Sequence, residues 1–168
     1  TLSVLLHCIG DFERMSDHAI NIVEAVQEMQ KKKQEFSPKA QRELSVYTLA
    51  MKDIINMAVT VFENEDTDLA SHIEPLEEVI DSLNAELKKR HVKRLRKGKC
   101  TIELGFVLSD ITTSYERVSD HCSNIGVCLI QMQNDEFETH GYLENIKHSS
   151  DSDFEDQFQA YQEKYVLP

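Results

Sequence analysis

Residues 12–22 read FERMSDHAINI and residues 115–125 read YERVSDHCSNI. At an offset of 103 the two stretches agree at seven of eleven positions: Glu13/Glu116, Arg14/Arg117, Ser16/Ser119, Asp17/Asp120, His18/His121, Asn21/Asn124 and Ile22/Ile125. Six of those seven shared residues are polar. A core stripe tolerates the exchanges seen at the other positions, such as Phe for Tyr or Met for Val, so packing alone does not ask for the polar agreement. Around the first copy, apolar residues recur in steps of three and four at Leu5, Cys8, Phe12, Met15, Ala19, Ile22, Val26 and Met29. Around the second they recur at Leu104, Leu108, Ile111, Tyr115, Val118, Cys122, Ile125, Leu129 and Met132. Those steps predict two long amphipathic helices, over about 1–33 and 99–134.

Between them the pattern predicts two more. Ser37 before Pro38 reads as an N-cap and first helical residue, opening a helix to about residue 63 that buries Tyr47, Ala50, Ile54, Met57 and Val61. The polar stretch 64–68 turns the chain, and Leu69, Ile73, Leu76, Ile80, Leu83 and Leu87 predict one helix over 67–97, closed by Gly98. Pro75 lies inside that span and is expected to kink it or to mark its true start. In the acidic tail, 135–168, SSDSD (149–153) reads as a loop, and Phe154, Phe158, Tyr161 and Tyr165 predict a short closing helix. Regular steps with short connections predict an all-α, antiparallel helical bundle.

Composition agrees. Five glycines, three prolines and no tryptophan favour helices, and 168 residues suffice for one domain with its own core. Cys8, Cys100, Cys122 and Cys128 have no metal or redox spacing and read as reduced, packed thiols. The net charge of −12 excludes general nucleic-acid binding. Apolar runs are short, so no membrane span is expected. A chain that starts at Thr1 and enters a helical pattern at once is expected to be part of a longer one.

The repeated carboxylates carry the chemistry. Glu13 and Asp17, four residues apart, place their Cβ atoms about 5–6 Å apart on one helix face, and Asn21 extends the stripe; Glu116, Asp120 and Asn124 repeat it. Glu77 and Asp81 supply the same spacing a third time, within LEEVIDSL. Packed side by side, the last two helices would converge Glu77, Asp81, Glu116 and Asp120 into an all-oxygen site suited to hard cations, iron or manganese. His18 and His121 follow the Asp by one residue, about 100° around the helix, which favours an inter-helix contact over ligation. One such spacing alone carries little weight; its duplication with its polar partners carries more.

FERMSDHAINIVE and YERVSDHCSNIG resemble the helix signature of PhoU domains, helical regulators of phosphate uptake built from three-helix repeats. The resemblance implies a surface multinuclear cluster of iron or zinc, held by Glu77 and Asp81 on the second helix of a repeat and Glu116 and Asp120 on the third. Glu13 and Asp17 then belong to the last helix of an incomplete first repeat, residues 1–36, with a complete repeat over 37–134 and the tail over 135–168. His18, His121, Asn21 and Asn124 are candidates to orient the ligands. The orphaned first helix invites a homodimer.

Tyr161 to Tyr165, Tyr-x-x-Lys-Tyr, is similar to the ends of PhoU-like domains attached to bacterial sodium/phosphate cotransporters. That implies a non-catalytic regulatory domain on the cytoplasmic face of the membrane, partnered by the transmembrane transporter domain of the same polypeptide. A free-standing PhoU-type regulator is the alternative. A carboxylate-bridged iron enzyme is disfavoured, because it needs Glu-x-x-His where this chain has Glu-x-x-x-Asp-His. A purely structural bundle is the third reading. Residues 88–99, KKRHVKRLRKGK, hold eight of the 18 Lys and Arg; they suit a helix C-terminus or, on a tethered domain, anionic lipid headgroups.

Overall fold

The computed structural model describes residues 2–134 and 151–168. Among these residues six helices follow in order: α1 (Leu2–Lys31), α2 (Pro38–Asn64), the single turn α3 (Thr67–Ala70), α4 (Ile73–Arg96), α5 (Ile102–Asn134) and α6 (Asp151–Lys164). The predicted all-α bundle is what forms.

Local chemistry sets the boundaries. The Ser37 hydroxyl accepts the Ala40 N–H at 3.3 Å and Pro38 opens α2, filling a position whose N–H has no helical partner. At the far end Glu65 takes the left-handed conformation (φ 52°), and the Asp66 carboxylate then caps α3 by accepting the Leu69 N–H at 2.9 Å. The single helix expected over 67–97 is therefore two. Pro75, third residue of α4, lacks an N–H and its ring would collide with the Ser71 carbonyl of a continuous helix, so the chain turns at Ser71 and His72 and restarts at Ile73. Gly98, at φ 62°, ends the turn beyond α4 as expected.

The core lies where α2, α4 and α5 meet. Tyr47, Ile54, Ile73, Leu76, Ile80, Leu87 and Ile125 are fully buried there, each of the aliphatic side chains contributing roughly 1.5–3 kcal/mol on transfer from water. By length and composition α2 could cross a bilayer, against the expectation that no segment would; in the bundle it buries Tyr47, Ala50, Ile54, Ala58 and Val61 and carries a fully buried carboxylate, Glu43.

α1 lies antiparallel along α5. Ile22, Val26 and Met29 pack with Leu104, Leu108 and Ile111, His18 meets His121, and the Cys8 thiol lies beside Cys128. Among the described residues only a narrow strip of α1 is covered. Leu5 and Ala19, expected inside, are exposed, while Val4 and Ala25 are buried, because a straight helix drifts away from a strict seven-residue stripe. The four cysteines are free thiols, Cys8 and Cys122 buried and the other two half-buried.

α6 docks on α4 and reaches α2: Phe158, Tyr161 and Leu167 pack against the main core, Tyr165 is buried, and both the Tyr165 hydroxyl and Lys164 Nζ bond the Asp53 carboxylate. Of the loop expected at SSDSD, Asp151 to Asp153 instead begin α6; Ser149 and Ser150 lie outside the described residues.

At Gly126 α5 packs tightly against the end of α3 and the start of α4. A Cβ there would sit 3.0 Å from Ile73 Cδ1 and 3.5 Å from the Ala70 carbonyl. Gly126→Leu is expected to destabilise the fold by about 1–3 kcal/mol through overpacking, seen as a lower urea midpoint; an unchanged midpoint would mean the helices can separate freely.

Candidate metal centre

α4 and α5 bring four of the predicted carboxylates into one electrostatic neighbourhood. Asp81 lies in the field of Glu116 and Asp120, and Glu77 in that of Asp81 and Asp120. Burial, followed by repulsion from Asp81, Glu74, Glu78 and Asp120, pushes the Glu77 carboxyl up to about 8. Asp81 and Asp120 are also held above the usual carboxylate range, by burial first and then by Glu116. Like charges gathered on one face are unfavourable without a cation, and the compensation from protein is thin. Lys88 approaches Glu116 only to 3.7 Å and Arg117 approaches Asp120 to 3.9 Å, both from exposed positions.

Sequence reasoning missed part of this site. Glu74, Glu77 and Glu78 place carboxylate oxygens within 4.8 Å of one another, a set that could hold a metal ion. The signal was available, since Glu74-x-x-x-Glu78 repeats the spacing of Glu77-x-x-x-Asp81 on one helix. Two positioning contacts were not legible: Asn84 Nδ2 donates to Glu116 Oε2 at 2.7 Å, and the Ser123 hydroxyl donates to Glu74 Oε2 at 2.6 Å. Beneath the carboxylates lies Tyr47, its phenol raised by burial and then by Glu116 and Asp81. Two buried atoms here, Tyr47 Oη and Asn84 Oδ1, have no hydrogen-bond partner among the described residues. An all-oxygen, acid-rich donor set with orphaned buried oxygens at its base fits hard or borderline cations.

The first copy of the motif lies elsewhere. Glu13 and Asp17 are exposed on α1, and no helix among the described residues faces them with a second pair. Nor do the histidines turn toward the carboxylates of α4. His18 and His121 stack on each other with ring centroids 5.9 Å apart, and His121 Nδ1 bonds Asp11 Oδ1 at 2.8 Å in the α1–α5 interface. Burial, then the neighbouring His121 and Arg117, holds His18 below the ordinary imidazole range. Asp11 went unnoticed because the sequence gives no cue that a carboxylate 110 positions away is its partner. Asn21 and Asn124 are exposed.

Helices that set Glu-x-x-x-Asp pairs beside one another in a bundle define an acidic, all-helical class of domain. Residues 49–128 match the model of the family described as PhoU domain. The chain is also 30% identical over 121 residues to the phosphate-specific transport system accessory protein PhoU homolog 1 of Thermotoga maritima, a match covering 72% of this chain and 51% of that protein. Over residues 49–128 the chain is thus similar to PhoU domains. The chain spans about half the length of this curated relative. No solved structure matches the present chain.

Proposed function

We propose that the chain is a non-catalytic, metal-binding regulator of phosphate uptake acting in the cytoplasm. The convergence of Glu77 and Asp81 on α4 with Glu116 and Asp120 on α5 carries this reading, and the name of the relative, an accessory protein of phosphate-specific transport, supports the regulatory part. Glu74 and Glu78 widen the donor set toward more than one ion. A cation held there supplies positive charge that joins α4 to α5. Glu13 and Asp17 form a second, half-built pair that needs a partner helix from outside the described residues, and pairing with another copy of the chain is one source of it.

A free-standing regulator is favoured, because the relative bears an accessory-protein name. Attachment to a sodium/phosphate cotransporter is a second reading, supported by the terminal Tyr161 to Tyr165 pattern. An oxygen-activating iron enzyme is disfavoured by the histidines, which face each other and Asp11.

Metal analysis of protein purified without chelator tests the site. The unaltered chain is expected to retain iron, zinc or manganese, and Glu116→Ala with Asp120→Ala to lose most of it. Equal, negligible metal in both proteins would sink the assignment. Radiolabelled phosphate uptake in cells lacking the gene, with and without the double variant restored, tests the regulatory part separately.

A further inference from the structure

The last turns of α4 and the first turn of α2 border an open cleft of about 1120 Å³. Eight Lys and Arg line it against two acids, Glu43 and Glu86. Both acids are already engaged: Glu43 by Arg90 and Arg94, Glu86 by Arg90 and Lys89. Lys39, Lys93, Arg96, Lys97 and Lys99 make no ion pair among the described residues.

The dipole of α4 accounts for the cations of its own last turn, Lys93, Arg94 and Arg96. It does not account for the others. Lys39 is the second residue of α2, at the positive end of that helix, and no acidic residue occupies its first turn; a cation there is opposed by the helix field. Lys99 follows the Gly98 turn, outside any helix. Cations from three chain segments thus gather around one concavity in a molecule whose net charge is −12.

We infer that this cleft binds a soluble oligophosphate, at least three linked phosphates, inorganic or carried on a nucleoside. Closely spaced unpaired cations match a ligand whose charges are equally closely spaced, and Arg forks suit phosphate oxygens. Arg94, largely covered with only 14% of its side chain exposed, and Arg90 are held in place by Glu43 at the protein edge of the cleft. Concavity favours a discrete ligand over a flat lipid surface, and the volume is of the order of known small-molecule sites. The inference is independent of the metal centre.

Titration calorimetry of the full chain with tripolyphosphate, ATP and orthophosphate tests it, alongside flotation with phosphatidylglycerol vesicles. Tripolyphosphate or ATP is expected to bind saturably, with affinity falling steeply as salt rises, and orthophosphate to bind far more weakly. Tripolyphosphate alone would assign the cleft to inorganic chains, and ATP alone to a nucleotide. Lys93→Glu with Lys97→Glu, both exposed and clear of Glu43, should weaken binding by at least about tenfold while circular dichroism stays unchanged. Glu116→Ala with Asp120→Ala should bind as the unaltered chain does, which separates this cleft from metal-mediated capture. Equal binding by the charge-reversed variant, binding of none of the phosphates, or binding to vesicles alone would overturn the proposal.

Discussion

Glu43→Ala is expected to destabilise the folded chain by about 3–5 kcal/mol, the range for removing one partner of a buried ionic network. Glu43 is fully buried and joins two arginines of α4, Arg90 at 3.1 Å and Arg94 at 2.7 Å. Without the carboxylate both guanidinium groups lose their main anion on the α2 side, and a small cavity adds to the loss. Glu43→Gln keeps the shape and part of the hydrogen bonding, so it should cost less. Urea unfolding checks the order: Ala lowest, Gln intermediate, unaltered chain highest. A Gln variant as unstable as Ala would mean that the negative charge, and not the packing, supplies the whole effect.

The second large effect belongs to the carboxylates of α4 and α5. In metal-free protein Glu77 takes up a proton near pH 8, against an ordinary value of 4.5. Its raised value means that its contribution to stability is fully present below pH 4.5 and is lost as the pH rises through about 8. Metal-free Glu77→Gln should therefore be more stable than the unaltered chain at pH 8.5, by about 1–2 kcal/mol after discounting for partial exposure, with the gap closing toward pH 5. Saturating metal should invert the order, since a ligand at a thousand times its dissociation constant stabilises by about 4 kcal/mol and the Gln variant loses a donor. Thermal unfolding in chelator and in excess metal supplies both halves. Identical curves for the two proteins in chelator would remove the electrostatic argument.

Much of the fold was legible because helices announce themselves by spacing. Tyr47, Ile54, Leu76 and Ile125 fall inside as their steps of three and four require. The Ser37–Pro38 start of α2 was equally local. Errors arose where packing breadth decides the outcome: α1 is covered along a thin strip, so Leu5 points out although its register is core-like. Partners distant in sequence were unreadable. Glu43 lies 47 and 51 positions from its two arginines, and nothing in the run of basic residues on α4 signals that two of its members turn inward while others stay in solvent. For the candidate site the Glu-x-x-x-Asp spacing was enough to name four carboxylates, but not Asn84, Ser123 or Tyr47, whose relevance appears only once helices are set side by side.

The stacked His18 and His121 rings occupy the centre of an approximate dyad. They are each other's counterparts in the duplicated motif, 103 positions apart, and they meet face to face where α1 and α5 cross antiparallel. A half-turn about that point exchanges the two helices and carries Glu13 and Asp17 onto Glu116 and Asp120. The molecule thus carries twin acidic stripes of opposite circumstance, one flanked by a neighbouring helix that bears its own carboxylates and the other without such a partner among the described residues. The unpartnered twin serves as an internal control: its own residues are the same, so any difference in cation affinity between the two measures what the carboxylates of the neighbouring helix add.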